Sequence, residues 1–515
     1  MLAHSARPKL EIPAQGYWEH VSAVVAEASS NVRDASEFWR GDRQFIEVVV
    51  EYAALVHDLG KLDTDNQKVL GSTSKGGLPW AHEDAGIKHL LDQRQIEAAL
   101  LVASHHAGLP NEPAERNKKN DYCRSDKPGV RERTNSLLPE YLREQQTACL
   151  KTVQVRPPGL KGMDWSNLAH RIALSCLVDA DHGDTARNYR NESDTAPPPT
   201  NWVRRIDALD RYVAGLPRDE VDPERAEVRQ LVYKACRDLP KLGSMLACDA
   251  GVGTGKTTAV MAHCLRVAAE LKLRHVIVVL PYTNIIQQSV RTYRTALCLD
   301  GEDPEQVIAE HHHQADFRKP ESRQLATLWN CPVTVTTAVQ FFETLASNST
   351  ARLRKLHELP GSAIFIDEAH AAIPTWLWRQ TWKWLRELAD DWGCHIVLAS
   401  GSLARFWQVQ SVVEKTTAIP DMIADDLRQR IQSGERQRVI IQSRAEPLNL
   451  PSLIEFVKDR KSPRLVILNT VQSAAVLANE MKVNSDVMHL STVLTPIDRG
   501  RIIERIKKRL DSRDD

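Results

Sequence analysis

Two hydrophobic textures divide the chain. Up to about residue 191 apolar positions recur at helical spacing, and the Val/Ile-rich runs of a buried parallel sheet are missing. Within that stretch residues 46–58 predict a helix that ends on His57-Asp58, with Gly60 as its stop. Ile96, Ala99, Leu100 and Ala103 form a second stripe that continues to His106, with Gly108 as the stop. Leu168, Ile172 and Cys176 form a third stripe that runs on to Asp179. The Pro-rich residues 194–201 read as an exposed connection, and residues 202–216 as one more helix packing back onto the first domain. From about Val221 short apolar runs alternate with helices. Residues 245–248, 275–280, 333–336, 363–366 and 395–399 predict the strands of a parallel α/β sheet. Two more strand candidates, 439–442 and 464–468, open a further unit. The expected fold class is multidomain: an all-α domain over residues 1–216, an α/β domain over 217–430, and a partial second α/β domain over 431–515.

Composition narrows the class without naming a partner. A chain of 515 residues with 42% hydrophobic and 26% charged residues is an ordinary globular protein of two or three domains. Lys+Arg and Asp+Glu both number 67, so net charge does not point to nucleic acid. A basic run (Lys118, Lys119, Arg124, Lys127, Arg131, Arg133) reads equally as a phosphate-binding patch or a solvated loop. Nine cysteines occur without a Cys-x-x-Cys pair, which argues against a zinc ribbon or a disulfide framework. Residues 1–13 lack an apolar secretory core and no membrane-length apolar run occurs, so the expectation is a cytoplasmic enzyme.

Two constellations carry chemistry. His20, His57, Asp58, His82, His105, His106 and Asp179 are seven candidate metal ligands in one N-terminal stretch. A carboxylate on the buried face of an apolar helix is costly unless paired or bound to a cation. Imidazole plus carboxylate suits two divalent transition-metal ions (Mn, Fe, Co, Ni or Zn) rather than an oxygen cage for Mg or Ca. Two such ions, typically ~3.5–4 Å apart, activate water and clamp a phosphodiester, and Lys61 lies close enough in sequence to neutralise phosphate charge. The second constellation runs from Asp249 to Thr257, after one predicted strand and before a helix, as a phosphate-binding loop requires. Gly253, Thr254 and Gly255 offer backbone N–H groups, Lys256 reaches the β/γ oxygens of ATP, and Thr257 ligates Mg²⁺. Asp367 and Glu368 end an apolar strand, where Asp367 holds Mg²⁺ through water and Glu368 polarises the attacking water. Gln230 is a candidate for adenine recognition.

The ordered ligand set resembles the HD-type metal-dependent phosphohydrolases, and more closely the nuclease domain of the CRISPR-associated helicase–nucleases of type I interference. The matching pieces are Tyr17-Trp18-Glu19-His20, His57-Asp58-Leu59-Gly60-Lys61, His82, Ser104-His105-His106, and Ser175 to Asp181. That resemblance implies one ion on His20, His57, Asp58 and Asp179, and another on His82, His105 and His106, with Asp58 bridging. Asp181 and His182 then read as supporting or structural residues. The loop and the Asp367-Glu368-Ala369-His370 box resemble superfamily 2 DEAH-box helicases, which implies a RecA-like domain. Pro281-Tyr282-Thr283-Asn284 and Thr336-Thr337 stand where that family grips the phosphate backbone, and Ser400-Gly401-Ser402 where it has Ser-Ala-Thr. Asn469-Thr470, His489-Leu490-Ser491 and Arg499 resemble the opening motifs of a second RecA-like half. Two further motifs, including an arginine that completes the ATP site, do not follow before Asp515. The expectation is an incomplete helicase half, finished by missing sequence or a second polypeptide, with weak ATPase and intact nuclease chemistry. His311-His312-His313 reads as a motor loop and the Trp-rich residues 376–392 as helix packing.

The function so implied is a metal-dependent single-stranded DNA endo/exonuclease coupled to an ATP-dependent helicase. It would degrade foreign DNA after recruitment by an RNA-guided surveillance complex. Two alternatives stay open: an HD phosphohydrolase acting on nucleotides and fused to an ATPase, and a non-catalytic nucleic-acid-binding recruitment module.

Overall fold

The computed structural model describes residues 1–72, 77–111, 122–123, 127–148, 165–189, 196–217, 222–240, 242–312, 315, 317, 319–438, 440–482 and 486–512. They form two compact units, Met1–Gln437 and Arg438–Asp515. Lys118, Lys119, Arg124 and His313 lie outside the described residues.

The first unit opens with a two-stranded antiparallel ribbon, β1 (Leu2–His4) and β2 (Gln15–Gly16), so its N-terminal part is not purely helical. Helices α1 (Tyr17–Ser36), α2 (Arg43–Val56), α3 (Glu83–Asp92), α4 (Ile96–Ser104), α5 (Val130–Ala148) and α6 (Asn167–Asn188) follow. Caps set two of the starts: Asp42 accepts from Phe45 N and Ser166 from Ala169 N. Two sequence expectations shift here. On α4 the buried positions are Ala98, Ala99, Leu101, Val102 and Ser104, while Ile96 is exposed and Leu100 and Ala103 are half-buried, because the face that meets the neighbouring helices is rotated from the predicted stripe. Gly60 is not a left-handed helix stop. It lies in a one-turn helix, Leu59–Leu62, where a Cβ would stand 2.6 Å from the His82 carbonyl oxygen. A glycine there lets the two ligand-bearing segments touch, and its N–H donates to that same carbonyl. Gly108 does act as the stop, at φ +80°, with its N–H on Ser104 O.

The second part of this unit is a six-stranded parallel sheet in the order β3-β8-β7-β4-β6-β5. Its strands are β3 (Met245–Asp249), β4 (His275–Leu280), β5 (Ile308–His311), β6 (Val333–Thr337), β7 (Ser362–Ile366) and β8 (His395–Ser400). All five predicted strands are present. Strand β5 escaped notice because its second half, Glu310-His311, is polar and it lies at the sheet edge. The opposite edge, β3, is covered by Pro420–Met422, which exchanges backbone hydrogen bonds with Ala247.

Helices α7 (Trp202–Ala214), α8 (Pro223–Asp238), α9 (Lys256–Leu271) and α10 (Thr283–Leu297) lie beside the sheet. Helix α7 packs on α9 and α10, not back onto the first domain. Its apolar face, Trp202, Ile206 and Leu209, finds the groove between those helices, and Trp202 Nε1 donates to Leu273 O. Fully buried Arg205 fastens it there, with Nη1 and Nη2 on the Glu302 carboxylate at 2.7 and 2.9 Å and further bonds to the Pro199, Thr200 and Leu297 carbonyls.

One continuous core joins the helical part to the sheet. Trp39 stacks on Trp392 at 5.0 Å, Phe38 closes against Gly361 and Gly393, and Ser175 Oγ on α6 donates to Leu353 O. Trp378 and Trp382, on helix α11 (Trp378–Asp390), pack on Phe406 and Trp407, as helix packing requires, whereas Trp376 is exposed.

The second unit holds α12 (Leu450–Lys458) and α13 (Val471–Lys482), which share a small core of Val457, Leu477 and Met481, and α14 (Pro496–Ser512). The strand candidates there, 439–442 and 464–468, are not strands: Val439 lies outside the described residues, 440–442 and 464–468 form no ladder among those described, and Ile440, Ile441, Leu465 and Ile467 are exposed. A β pattern becomes a strand only when a neighbouring backbone meets its hydrogen bonds. No helix among the described residues is long and apolar enough to cross a membrane.

Arg205→Ala leaves the Glu302 carboxylate without its partner and is expected to cost about 3–5 kcal/mol. Urea unfolding should show the lower midpoint, with Glu302→Gln in the same background recovering part of the loss.

Candidate functional site

The helical part brings its imidazoles and acids together from five places. Helix α1 carries His20, the end of α2 presents His57 and Asp58, His82 precedes α3, His105 and His106 follow α4, and α6 carries Asp181 and Asp184. Two groups result: His20, His57 and Asp181, and Asp58, His82, His105 and His106, each with its donor atoms within 4.8 Å of one another. Asp58 joins them. Its Oδ2 lies 3.2 Å from His20 Nε2 and 3.5 Å from His57 Nε2, while its Oδ1 lies 3.4 Å from His82 Nε2. Lys61 Nζ stands 2.6 Å from Asp58 Oδ2.

Hydrogen bonds on the far side of three rings decide which nitrogen faces inward. Nδ1 of His57 meets Ala54 O at 2.7 Å, Nδ1 of His105 meets Val102 O at 2.6 Å, and Nδ1 of His20 meets Asp184 Oδ2 at 2.6 Å. An Nδ1–H on an oxygen acceptor leaves Nε2 as a lone pair, the orientation a metal-ligating histidine takes. His82 Nε2 and His106 Nε2 face each other at 2.8 Å, and His105 Nε2 is buried with no hydrogen-bond partner. Lone pairs aimed at lone pairs and carboxylates repel unless a proton or cation lies between them.

Charge states follow the same logic. Burial pushes His57 and His105 down, and burial with nearby Lys61 takes His82 to about 4 despite Asp58, so these imidazoles are neutral. Burial alone would raise Asp58, but Lys61 and the surrounding imidazoles hold it well below the usual carboxylate range. Asp181 is likewise held low against burial by His20 and His57. His20 goes the other way: burial opposes its charge, yet Asp181, Asp184 and Asp58 together raise it to about 11. The cluster therefore draws a positive charge to its centre.

Of the seven expected ligands, six converge and Asp179 does not. Its carboxylate pairs with Arg354 Nε at 2.8 Å, toward the sheet part of the molecule, and Asp181 Oδ1 takes the place beside His20 and His57, at 3.5 and 3.8 Å. Two residues along a helix is a rotation of about 200°, so the acids of Asp179-Ala180-Asp181 face opposite ways. The sequence holds that pattern but not the phase of the helix. Asp184, one turn beyond Asp181, was also missed, and it orients His20.

The motor site lies on the C-terminal edge of the sheet, where α/β proteins bind ligands. Gly253 and Gly255 adopt φ of +81° and +76°, turning the loop into α9, whose first residue is Lys256. Lys256 Nζ meets Glu368 Oε1 at 2.9 Å and Asp367 Oδ1 at 3.2 Å, and Thr257 Oγ1 lies 3.4 Å from Asp367 Oδ2. Burial opposes the Lys256 charge, but the two acids outweigh it and raise its pKa. Strand β8 lies between β3 and β7, so Ser400 at its end donates to Glu368 Oε2 at 3.1 Å and contacts His370 Nδ1 at 2.6 Å.

Gln230 is exposed on α8, and Arg229 instead bonds Gly253 O while Arg225 covers that glycine. These arginines, four apart, share the helix face turned to the loop, and Gln230 is a position off it. Thr336 Oγ1 is spent on His311 O and Thr337 caps a helix. His311 ends β5 and bonds Trp329, and His312 pairs with Glu310. The described part of the basic run is engaged internally: Lys127 lies over Trp80, Arg131 over Tyr122, and Arg133 pairs with Asp63.

Residues 232–408 match the DEAD/DEAH box helicase family. This part of the chain is a DEAD/DEAH box helicase domain. Over 92% of its length the chain is 21% identical to the CRISPR-associated nuclease/helicase Cas3 of Haloferax volcanii, of which it spans 61%. Among solved structures, it is similar to T. fusca Cas3 (TM-score 0.49, 16% identity, 87% of this chain and 54% of that one). The ATP form of T. fusca Cas3 aligns with TM-score 0.49 and 16% identity over 91% of this chain and 59% of that one. A chain of a CRISPR RNA-guided surveillance complex, pre-nicking, aligns with TM-score 0.44 and 17% identity, covering 87% of this chain and 51% of that one.

In the helicase domain Lys256 joins the loop to both acids, where Thr257 reaches Asp367 alone. Lys256→Ala is expected to weaken a fluorescent ATP analogue by about tenfold or more, the worth of a charge-assisted hydrogen bond to phosphate.

Proposed function

We propose that this chain is a metal-dependent nuclease for single-stranded DNA, coupled to its ATP-dependent helicase domain. It acts on foreign DNA after recruitment by an RNA-guided surveillance complex of the type I kind. The observation that carries this reading is Asp58, which offers one carboxylate oxygen to each of two imidazole-rich groups. The curated relative, a nuclease/helicase, supports the pairing of the two activities.

The residues present fit two divalent cations: His20, His57, Asp181 and Asp58 Oδ2 for one, and Asp58 Oδ1, His82, His105 and His106 for the other. Ligation requires neutral imidazoles and ionised carboxylates; burial already keeps His57, His82 and His105 neutral, a cation would take the place of the second proton on His20, and the mixture suits Mn, Fe, Co or Ni. Such a pair, when bound, supplies a nucleophile at neutral pH and a clamp on the phosphodiester oxygens. The protein holds its donors ready for this through the backbone carbonyls of Ala54 and Val102 and the carboxylate of Asp184, which lock three rings in place. Lys61, beside Asp58, balances charge and stands close enough to meet a phosphate oxygen. In the helicase domain Asp367 serves Mg²⁺ and Glu368 the attacking water, and Ser400 links Glu368 to the end of β8.

His57→Ala and Asp58→Ala are expected to abolish Mn-dependent cleavage of a circular single-stranded DNA; unchanged cleavage in both would place the chemistry elsewhere. Such a circle also separates this activity from hydrolysis of free nucleotides, which would leave it intact.

Mn²⁺ titration distinguishes the two acids of α6. Asp181→Asn is expected to weaken binding by about 10–100-fold, whereas Asp179→Asn leaves the stoichiometry unaltered and lowers thermal stability instead.

A further inference from the structure

Beside the His82–His105–His106 group the surface opens into a cavity of about 430 Å³, within the ~300–1,000 Å³ typical of small-ligand pockets. The helical part supplies an apolar wall, Val102, Leu109 and Pro110, together with His105 and His106. Asn348 closes another side, and it belongs to the helicase domain. The described lining contains no lysine or arginine. Its one carboxylate, Glu83, is turned toward His82 Nδ1 at 3.6 Å.

The Asn348 segment is fastened against this mouth rather than merely near it. Gly108, at φ +80°, packs so close that an added Cβ would stand 1.8 Å from the Asn348 carbonyl oxygen. Arg171 on α6 donates from Nε to Ser347 O at 3.2 Å.

Away from the His105 and His106 imidazoles, a cavity walled by aliphatic side chains and amides, with no lysine or arginine in its described lining, is a poor phosphate cradle and a good seat for an uncharged aromatic ring. Aliphatic walls cover the ring faces, and the Asn348 amide offers both donors and an acceptor to its edge. Its floor is the imidazole pair proposed to hold a cation, so a phosphodiester held there would deliver its neighbouring nucleoside into the cavity.

We propose that this cavity is a nucleobase subsite, which receives one unpaired base flanking the scissile phosphate, with the helicase domain contributing Asn348 to its wall. The inference rests on the nuclease reading above and deepens it. A base that is paired and stacked in a duplex has no face free to enter. The subsite therefore selects single strands, and it makes the motor a physical part of the nuclease site.

The test compares the Mn-loaded full chain on an oligothymidylate and on a length-matched abasic oligomer, which keeps every phosphate and removes every base. The wild-type chain should show a KM about tenfold lower for the base-bearing strand, as one well-seated base provides. Leu109→Trp fills the cavity from the helical side, and Asn348→Trp fills it from the opposite wall, where the side chain is exposed. In both, the ratio of the two KM values should fall to near one. A wild-type ratio near one, or a ratio that survives both substitutions, overturns the subsite while leaving the nuclease standing. Absence of Mn-dependent cleavage of either strand overturns the nuclease reading and the subsite with it.

Discussion

A buried carboxylate must be compensated, and Asp58 is the point where this molecule meets that demand. Three imidazoles and one lysine surround it; burial keeps His57 and His82 neutral, so the compensating charge comes from Lys61 and His20. Much of the helical part exists to keep those groups in place. The end of α2 presents His57 and Asp58 together. Gly60 lets the His82 segment come within hydrogen-bond distance, and the carbonyls of the last turns of α2 and α4 hold rings that would otherwise rotate. Isolated in an apolar interior such a carboxylate would be strongly destabilising.

Helix α6 is the hinge between this cluster and the motor in a literal, geometric sense. One face carries Asp181 and Asp184 to His20. The other carries Ser175 and Asp179 to Leu353, Arg354 and His357 beneath the sheet. His357 continues to Glu358, and Glu358 to Arg274 and His275 at the start of β4, whose far end lies next to the strand of the acid box. A run of paired, buried polar groups of this kind is costly to break at any single member, which keeps the two sites in register.

The motor site depends on strand order more than on any one motif. Strand β8 sits between the strand before the phosphate loop and the strand before the acid box, so all three C-terminal ends meet on one edge. Ser400 reaches Glu368 for that reason alone, although the two are 32 residues apart in the chain.

The sequence by itself determined the class of each part. Helical periodicity with interspersed His and Asp marked the first half, and the glycine loop with its Lys256 and the five apolar runs marked the second, because local pattern and backbone propensity act over a few residues. Six of seven cluster residues were legible, each lying at a helix end or loop where position alone brings it inward. Only the tertiary structure decided the rest. Asp181 replaces Asp179 because helix rotation is set by what α6 packs against on both sides. Helix α7 belongs to the motor because its apolar groove is there. Arg225 and Arg229, rather than Gln230, meet the loop because one face of α8 is turned to it. The β patterns at 440–442 and 464–468 stay irregular because a strand is a property of two backbones, and a sequence describes one.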